Sequence, residues 1–263
     1  MGLPFAFWKS AATAIAYLLD TYGGSSAAYS LRKLSASTSN VVRVRRSSDN
    51  AEQDFTDTEI TDGTLTTFTG AGNGFVAIWY DQSGNSNNAN QSTASSQPQL
   101  VLNGSVILEN GKPAVDFNND ELRTATFTAS SQPITKIIVV TPTITTNESY
   151  IDGSSSSRGR VGSHLGNNLL YAGSILTKNT KVLSQQIFYA LFKSTTSEIA
   201  INGTSLGTGN AGSQGLDLVI LGNHPTNAVN FKGTMQEVLI YASDQSTNRA
   251  GIETNINAEY TIY

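Results

Sequence analysis

The chain has 263 residues, of which 38% are hydrophobic and only 14% charged, with a formal net charge of −4. This acidic balance argues against a nucleic-acid partner, which normally meets a basic face. The chain has no cysteine, so disulfides, thiolate nucleophiles and zinc–thiolate sites are excluded. No apolar run approaches the roughly 20 residues of a membrane-spanning helix, so membrane insertion is not expected.

The first eight residues contain three large aromatic side chains, Phe5, Phe7 and Trp8. The segment lacks the basic start and the clear apolar core of a secretory signal. Aromatic side chains need an apolar surface to pack on. We therefore expect residues 1–17 to form an arm that docks on the domain or on a neighbouring subunit.

Many short strands joined by polar turns are predicted for the remainder. Residues 27–34 follow two serines that could cap a helix and are expected to form a short helix. Strands are expected at 41–46, 75–80, 99–102, 105–108, 114–117, 136–141, 149–151, 168–171, 186–192, 198–201, 216–221 and 234–241. Asn-Gly or Asp-Gly pairs at 103–104, 110–111, 152–153 and 202–203 indicate turns.

The end of the chain carries apolar residues at helical spacing, and residues 243–258 are expected to form a terminal helix packed on the strands. No linker divides the chain. The pattern predicts one all-β domain over residues 18–263, a two-sheet antiparallel sandwich with a short N-terminal helix and a C-terminal helix.

Three stretches carry a resemblance to a known family: LDTY (19–22) with AYSLR (28–32) and RVRRSSDN (43–50); WYDQSGN (79–85) with NGKPA (110–114); and FKGTMQEVLIY (231–241). They resemble the catalytic domain of α-L-arabinofuranosidase B and the similar modules of bacterial surface proteins and bacteriophage virion proteins. The last stretch is similar to the final strand of laminin G-like domains. The resemblance implies a concanavalin A-like jelly roll that binds sugars on its concave face or rim loops.

Retaining glycosidases of this kind need a carboxylate nucleophile and a carboxylic acid about 5 Å apart. By resemblance, the nucleophile should lie near GNNLLY (166–171) and the acid near LGNHPTN (221–227), and neither stretch contains a carboxylate. We therefore expect a fold that is retained without its catalysis. Glu148, Asp152 and Asp217 are the nearby carboxylates that an active glycosidase could use instead.

If a sugar site is present, the loops that correspond to the old active site contribute Tyr150, Asp152, His164, Tyr171 and His224. Aromatic rings stack on sugar faces, while Asp and His fix hydroxyl groups. The alternative is that these are ordinary core and loop residues.

No cofactor and no metal site are expected. The residues after Asp81 place oxygen-bearing side chains at alternate positions, as calcium loops do, but no Glu stands at the twelfth position. A hydrogen-bonded turn is the expected structure there, and bound calcium is the weaker alternative. GTGNAG (207–212) matches a dinucleotide-binding pattern, but a strand rather than a helix is expected after it, so a hairpin loop is predicted.

Three functions remain open. The first is a non-catalytic structural protein of a virion, such as a phage head decoration, fibre or tail component, that contacts other virion proteins or copies of itself through the arm. The second is a carbohydrate-binding module of an extracellular or cell-surface protein. The third is an arabinofuranosidase with displaced carboxylates.

Overall fold

The computed structural model describes residues 16–226 and 229–263; the expected docking arm with Phe5, Phe7 and Trp8 lies outside the described residues. The four helices of the described part are α1 (Leu18–Thr21), α2 (Asp57–Thr61), α3 (Thr64–Thr69) and α4 (Arg249–Tyr260). None of the helices described combines the length and hydropathy of a membrane span.

The strands of the first half of the chain are β1 (Ala27–Ser30), β2 (Val42–Arg46), β3 (Glu52–Phe55), β4 (Gly74–Trp79), β5 (Ala89–Asn90), β6 (Gln99–Leu102), β7 (Ser105–Val106), β8 (Leu108–Glu109), β9 (Lys112–Pro113), β10 (Val115–Asn118) and β11 (Leu122–Arg123). Those of the second half are β12 (Ile134–Pro142), β13 (Glu148–Asp152), β14 (Arg160–His164), β15 (Asn167–Tyr171), β16 (Ile175–Thr180), β17 (Gln186–Phe192), β18 (Ser197–Ile201), β19 (Thr204–Gly209), β20 (Ile220–Leu221) and β21 (Lys232–Tyr241).

The strand pairings, all antiparallel, build the two layers of a jelly-roll sandwich, as the sequence predicts. One layer, called here the helix-covered sheet, runs β21-β12-β17-β18-β19. Strands β1 and β10 pair, one after the other, with the remaining edge of β21. The other layer, called here the outer sheet, runs β3-β2-β4-β5-β11-β20-β13-β14-β15-β16. Strand β6 pairs with both β4 and β10 and so links the two layers.

Strand β12 shows why its sequence is apolar without alternation. Ile138 and Val140 belong to the core between the two sheets, whereas Ile137 and Val139 belong to a second core under the helices. Because successive side chains of a strand point to opposite faces, a strand covered on both faces must be apolar throughout. The expected central strand at 136–141 is confirmed, and it extends from Ile134 to Pro142.

The terminal helix is also confirmed, but it begins later than expected. Helix α4 places Ile252, Ile256 and Tyr260 on the helix-covered sheet. Residues 243–248 stay outside it because Thr135 holds them: its hydroxyl donates to the carbonyl of Ser243 at 2.8 Å and accepts from the amide of Gln245 at 3.0 Å.

The helix expected at 27–34 is wrong. Residues 27–30 form β1, which pairs with β21 and has all four of its side chains buried. A strand between two packed layers buries both of its faces, and this burial outweighs the helical preference of the two alanines. The turn after β4 also holds this strand in place, because the Asp81 carboxylate accepts a hydrogen bond from the amide of Ala28 at 2.8 Å.

Three of the four expected turns are tight hairpin turns. Asn103, Asn110 and Asn202 and the glycine after each have positive φ, as a type I′ turn requires. The fourth pair differs, because Asp152 ends β13 and is fully buried. The hairpin loop expected at 207–212 is also displaced, since residues 204–209 form β19.

Candidate functional site

The outer sheet carries a row of side chains on the face that points away from the core, and its members on β20 and β13 are buried. The register places Asn90 opposite Arg123, Arg123 opposite Ile220, and Ile220 opposite Asp152. Residues directly opposite in antiparallel strands point to the same face. Leu122 and Ile151, one position away, belong to the core, so the row faces away from the core.

Asp152 and Arg158 form the most strongly paired group of this face. Arg158 lies in the connection from β13 to β14. Its Nε donates to both oxygens of Asp152 at 3.0 and 3.1 Å, and its Nη2 donates to Oδ2 at 2.6 Å. Asp152 is fully buried, and its Oδ1 also accepts from the amide of Gly153 at 2.8 Å. A buried carboxylate is stable when it is both ion-paired and hydrogen-bonded.

Tyr171 lies against the other side of Arg158. It ends β15 opposite Arg160, and the Arg158 guanidinium lies 5.0 Å from the centre of its ring. This distance is within the range of a cation–π contact. Tyr171 is half-buried, so the residue that packs on Arg158 is also accessible to solvent.

His224 lies in the loop after β20. Burial lowers the pKa of its imidazole, and the positive charge of Arg158 acts in the same direction. Its Nδ1 lies 2.9 Å from the Thr226 hydroxyl and accepts from the Thr226 amide at 3.2 Å. Since Nδ1 is an acceptor, the neutral ring carries its proton on Nε2 and can donate there.

Asp217 and Ser154 extend this group. The Ser154 hydroxyl donates to Asp217 Oδ2 at 2.9 Å. Asp217 Oδ1 is buried and has no hydrogen-bond partner among the described residues. The backbone amide of Arg158 donates to Gln214 at 3.2 Å. The β13–β14 connection is therefore held in place by the side chains of Asp217 and Gln214.

A groove lies next to the His224 loop, which contributes Pro225 to its lining. Asn90, Gln91, Glu121, Arg123 and Pro225 line it, with a volume of about 540 Å³. Glu121 accepts from Arg123 at 3.3 Å and from the side chain of Asn223 at 3.0 Å. The groove thus presents amide, carboxylate and guanidinium groups next to one another.

The structure brings together two of the five expected sugar-binding residues at Arg158, Asp152 through an ion pair and Tyr171 through a ring contact, and the charge of Arg158 also acts on His224. His164 lies at the opposite end of β14 from Arg160, about 13 Å away at the usual rise per residue. Tyr150 is fully buried in the core, edge-on to Phe188 and Phe231. A ring in this position packs the sandwich and does not present a face to a ligand.

Arg158, Arg123 and Glu121 were not identified from the sequence. Arg158 had a signal, because it stands with Arg160 in GSSSSRGR (153–160), a serine-rich stretch of a chain poor in charge. A charge that becomes buried on folding needs a partner, so these two arginines were candidates for an ion pair. Glu121 and Arg123 gave no comparable signal, since only the register of β11 aims them at the groove.

The three carboxylates considered for catalysis have different surroundings. Glu148 is fully buried and binds the Lys181 ammonium, while the Lys232 amide donates to its other oxygen at 2.9 Å. Asp152 is bound to Arg158, and Asp217 to Ser154. A glycosidase needs one carboxylate free to attack and one protonated group free to donate. Glu148 is already paired with Lys181, and Asp152 with Arg158, so neither carboxylate is free for these roles.

The Asp81 turn has no room for a cation. The carboxylate of Asp81 accepts from the amides of Ala28, Ser83 and Asn87 and from the Ser83 hydroxyl, at 2.7 to 2.9 Å. Four donors occupy the lone pairs that a calcium ion would need. Across residues 16–226 and 229–263, no group of three or more His, Asp or Glu side chains could hold a metal ion.

No protein-family profile matches the chain, and no curated protein matches it by sequence. Three similar solved structures are arabinofuranosidases. A GH54 α-L-arabinofuranosidase soaked with a cyclic sulfate inhibitor has 15% identity and a TM-score of 0.68. A point mutant of a GH54 α-L-arabinofuranosidase soaked with 4-nitrophenyl α-L-arabinofuranoside has 16% identity and a TM-score of 0.68. An arabinofuranosidase complexed with arabinofuranosyl-α-1,2-xylobiose has 18% identity and a TM-score of 0.64.

These matches cover 88% of this chain but only 61% to 62% of the arabinofuranosidase chains. The chain therefore spans about three fifths of their length. At this identity the likeness shows the fold, a β-sandwich shared with these enzymes.

Proposed function

We propose that the chain is a carbohydrate-binding module that holds a sugar chain on its outer sheet without cleaving it. The observation that carries the proposal is the group around Arg158, where Tyr171 is partly exposed against a guanidinium that Asp152 holds in place, while the charge of Arg158 also acts on His224. An aromatic ring beside such donors suits a sugar, which has apolar faces and hydroxyl edges.

The groove beside the His224 loop supports an extended ligand. Asn90, Arg123 and Asp152 lie in one row across β5, β11, β20 and β13. Neighbouring strands are about 4.8 Å apart, so the row spans a length on the order of 15 Å. Asn90 and Arg123 are the accessible members of this row, and together with Gln91 and Glu121 of the groove they offer several polar contacts to a sugar chain.

Arabinofuranosyl oligosaccharides are the first ligands to test, because arabinofuranosidases share the fold. Titration calorimetry with such an oligosaccharide should give saturable heat. Tyr171→Ala should weaken binding about fivefold, since an aromatic contact contributes on the order of 1 kcal/mol. Tyr263→Ala is the matched control, because Tyr263 is exposed and lies against Gly203, away from the Arg158 group. Equal binding by both variants would contradict the site.

The occupied carboxylates support binding without hydrolysis. Wild-type protein incubated with 4-nitrophenyl α-L-arabinofuranoside should release no nitrophenol above the buffer rate. Steady release that is lost in Asp152→Asn or Asp217→Asn would instead identify an arabinofuranosidase with displaced carboxylates.

The virion role expected from the sequence stays a prediction, as do the docking arm and contacts with other virion proteins. It is compatible with sugar binding, since a particle can use such a module to hold a cell surface. Mass spectrometry of purified particles tests it: the chain should be present in them at a fixed ratio to the other particle proteins.

A further inference from the structure

A polar row lies inside the sandwich, in the same three strands that end at the Arg158 group. Glu148 of β13 pairs with Ser163 of β14, and Ser163 pairs with Asn168 of β15. Asn168 lies two residues from the core residue Leu170, and side chains two apart in a strand share a face. Glu148, Ser163 and Asn168 are all buried.

The side chain of Lys181 crosses this row. Lys181 directly follows β16, whose last residue Thr180 pairs with Asn167. From there the Lys181 ammonium reaches Glu148, two strands beyond β15, and lies 3.4 Å from the Ser163 hydroxyl. Its ammonium therefore lies in the row that Glu148, Ser163 and Asn168 form. Only 1% of the Lys181 side chain is exposed.

The side-chain amide of Asn168 lies in this buried row and has few hydrogen-bond partners. Its Oδ1 is buried and accepts no hydrogen bond from the part of the chain that the structure describes. Its Nδ2 has one long contact, to the carbonyl of Asn179 at 3.5 Å. An unsatisfied buried carbonyl is costly, so this amide calls for an explanation.

We propose that Lys181 and Asn168 join spontaneously in a side-chain amide (isopeptide) bond, with Glu148 as the acid–base group. Cβ atoms of opposite residues are about 5 Å apart, so Asn168 neighbours Ser163, which itself contacts the Lys181 nitrogen. The reaction requires the two side chains to rotate so that the amine meets the Asn168 Cγ. Glu148 contacts the same nitrogen, as a group that moves its proton must.

The reaction balances without any other reactant. Glu148 takes one proton from the Lys181 ammonium, and the free lone pair of Nζ forms a bond to Cγ of Asn168. The carboxylic acid of Glu148 protonates Nδ2, the Cγ–Nδ2 bond breaks, and ammonia leaves with that electron pair. The second proton lost by Nζ returns to Glu148. Lysine amine and asparagine amide thus become one secondary amide and one ammonia.

The surroundings of Glu148 suit this task. Burial raises the pKa of its carboxyl above the usual range, although the hydrogen bond from Lys181 acts in the opposite direction. The Lys232 amide holds the other oxygen in place at 2.9 Å. A buried site also keeps water from hydrolysing an intermediate.

The bond would fasten a strand that is otherwise weakly held. Strand β16 lies at the end of the outer sheet, with β15 as its partner, and Ile175 at its start is exposed. Edge strands expose unpaired backbone groups and are prone to slip or to pair with other chains. A covalent link from Asn168 to Lys181 would hold the register of β15 against β16.

Intact-mass spectrometry of the purified, denatured full-length chain tests the proposal. The wild-type protein should be lighter than its sequence mass by one ammonia. After tryptic digestion, residues 161–178 and residues 179–193 should remain joined as one branched peptide, although cleavage after Lys178 would otherwise separate them. Lys181→Arg and Asn168→Ala should each restore the full sequence mass.

Glu148→Gln separates the acid–base role from mere proximity. This variant should show the full sequence mass while its circular dichroism stays that of a β-sheet protein, because both partners of the bond are still present. If it unfolds, the wild-type measurement still decides. A wild-type mass equal to that of the sequence would overturn the proposal, and so would the loss of one water, which would join Lys181 to Glu148 instead.

Discussion

Asp152→Asn tests the group around Arg158 through stability. The wild-type carboxylate is fully buried and meets Arg158 in three contacts of 2.6 to 3.1 Å, while 13% of the Arg158 side chain is exposed. Removing one partner of a buried ion pair costs about 3–5 kcal/mol, because the other charge is left uncompensated. The asparagine retains one acceptor, and Arg158 keeps some access to water. We therefore expect a loss of about 3 kcal/mol, the lower end of that range.

Urea unfolding monitored by tryptophan fluorescence measures this loss. Asp49→Asn is the matched control, because Asp49 forms a similarly short bidentate pair with Arg46 at the surface. Surface pairs contribute little, so the control should unfold at nearly the wild-type urea concentration. If Asp152→Asn unfolds together with the control, Asp152 and Arg158 do not form the buried pair on which the site depends.

Two further predictions concern buried and saturated groups. Burial lowers the pKa of Lys136 to about 8 from 10.5, so the unfolded chain binds more protons between these values and stability rises with pH through that window. Lys136→Met should be more stable than wild type at neutral pH, and the advantage should shrink as the pH rises above about 8. A difference in unfolding free energy between the two proteins that stays the same from pH 7 to pH 10 would contradict this. Asp81→Ala should lose about 2 kcal/mol, because four donors lose their acceptor, whereas a chelator should leave the melting temperature of the wild type unchanged; a fall in that temperature on chelation would indicate bound calcium.

Periodicity and turn chemistry locate most of the strands. Strands β6 and β17 have the bounds expected from the sequence, because uninterrupted apolar runs and Asn-Gly turns are local signals. Strands β14, β16 and β19 were not expected. Strands β16 and β19 are rich in Gly, Ser, Thr and Asn, and β14 lacks an apolar run, so only pairing with neighbouring strands makes them strands.

The helices show two different reasons for a wrong or missing prediction. Residues 27–30 have helical composition but are held as a strand by β21. Helix α2 was not predicted although its sequence carries a capping box, in which Thr56 and Glu59 exchange hydrogen bonds. That signature is local and readable from the sequence, whereas β1 depends on tertiary contacts.

The site was only partly predictable for the same reason. The resemblance pointed to Asp152, Tyr171 and His224 as ligand-binding residues, which stays a prediction, but it could not reveal the bulge that turns Tyr150 into the core. It also gave no sign of Arg158, whose role depends on a buried partner six residues earlier in the chain. Fold and candidate face follow from local patterns; the charge pairing does not.

One calorimetric titration with an arabinofuranosyl oligosaccharide, with the mixture analysed afterwards for freed sugar, tests the central claim most directly. We predict saturable heat that Tyr171→Ala reduces, with the oligosaccharide recovered intact. Free arabinose in the mixture, or no heat at millimolar ligand, would contradict a module that holds sugar chains without cutting them.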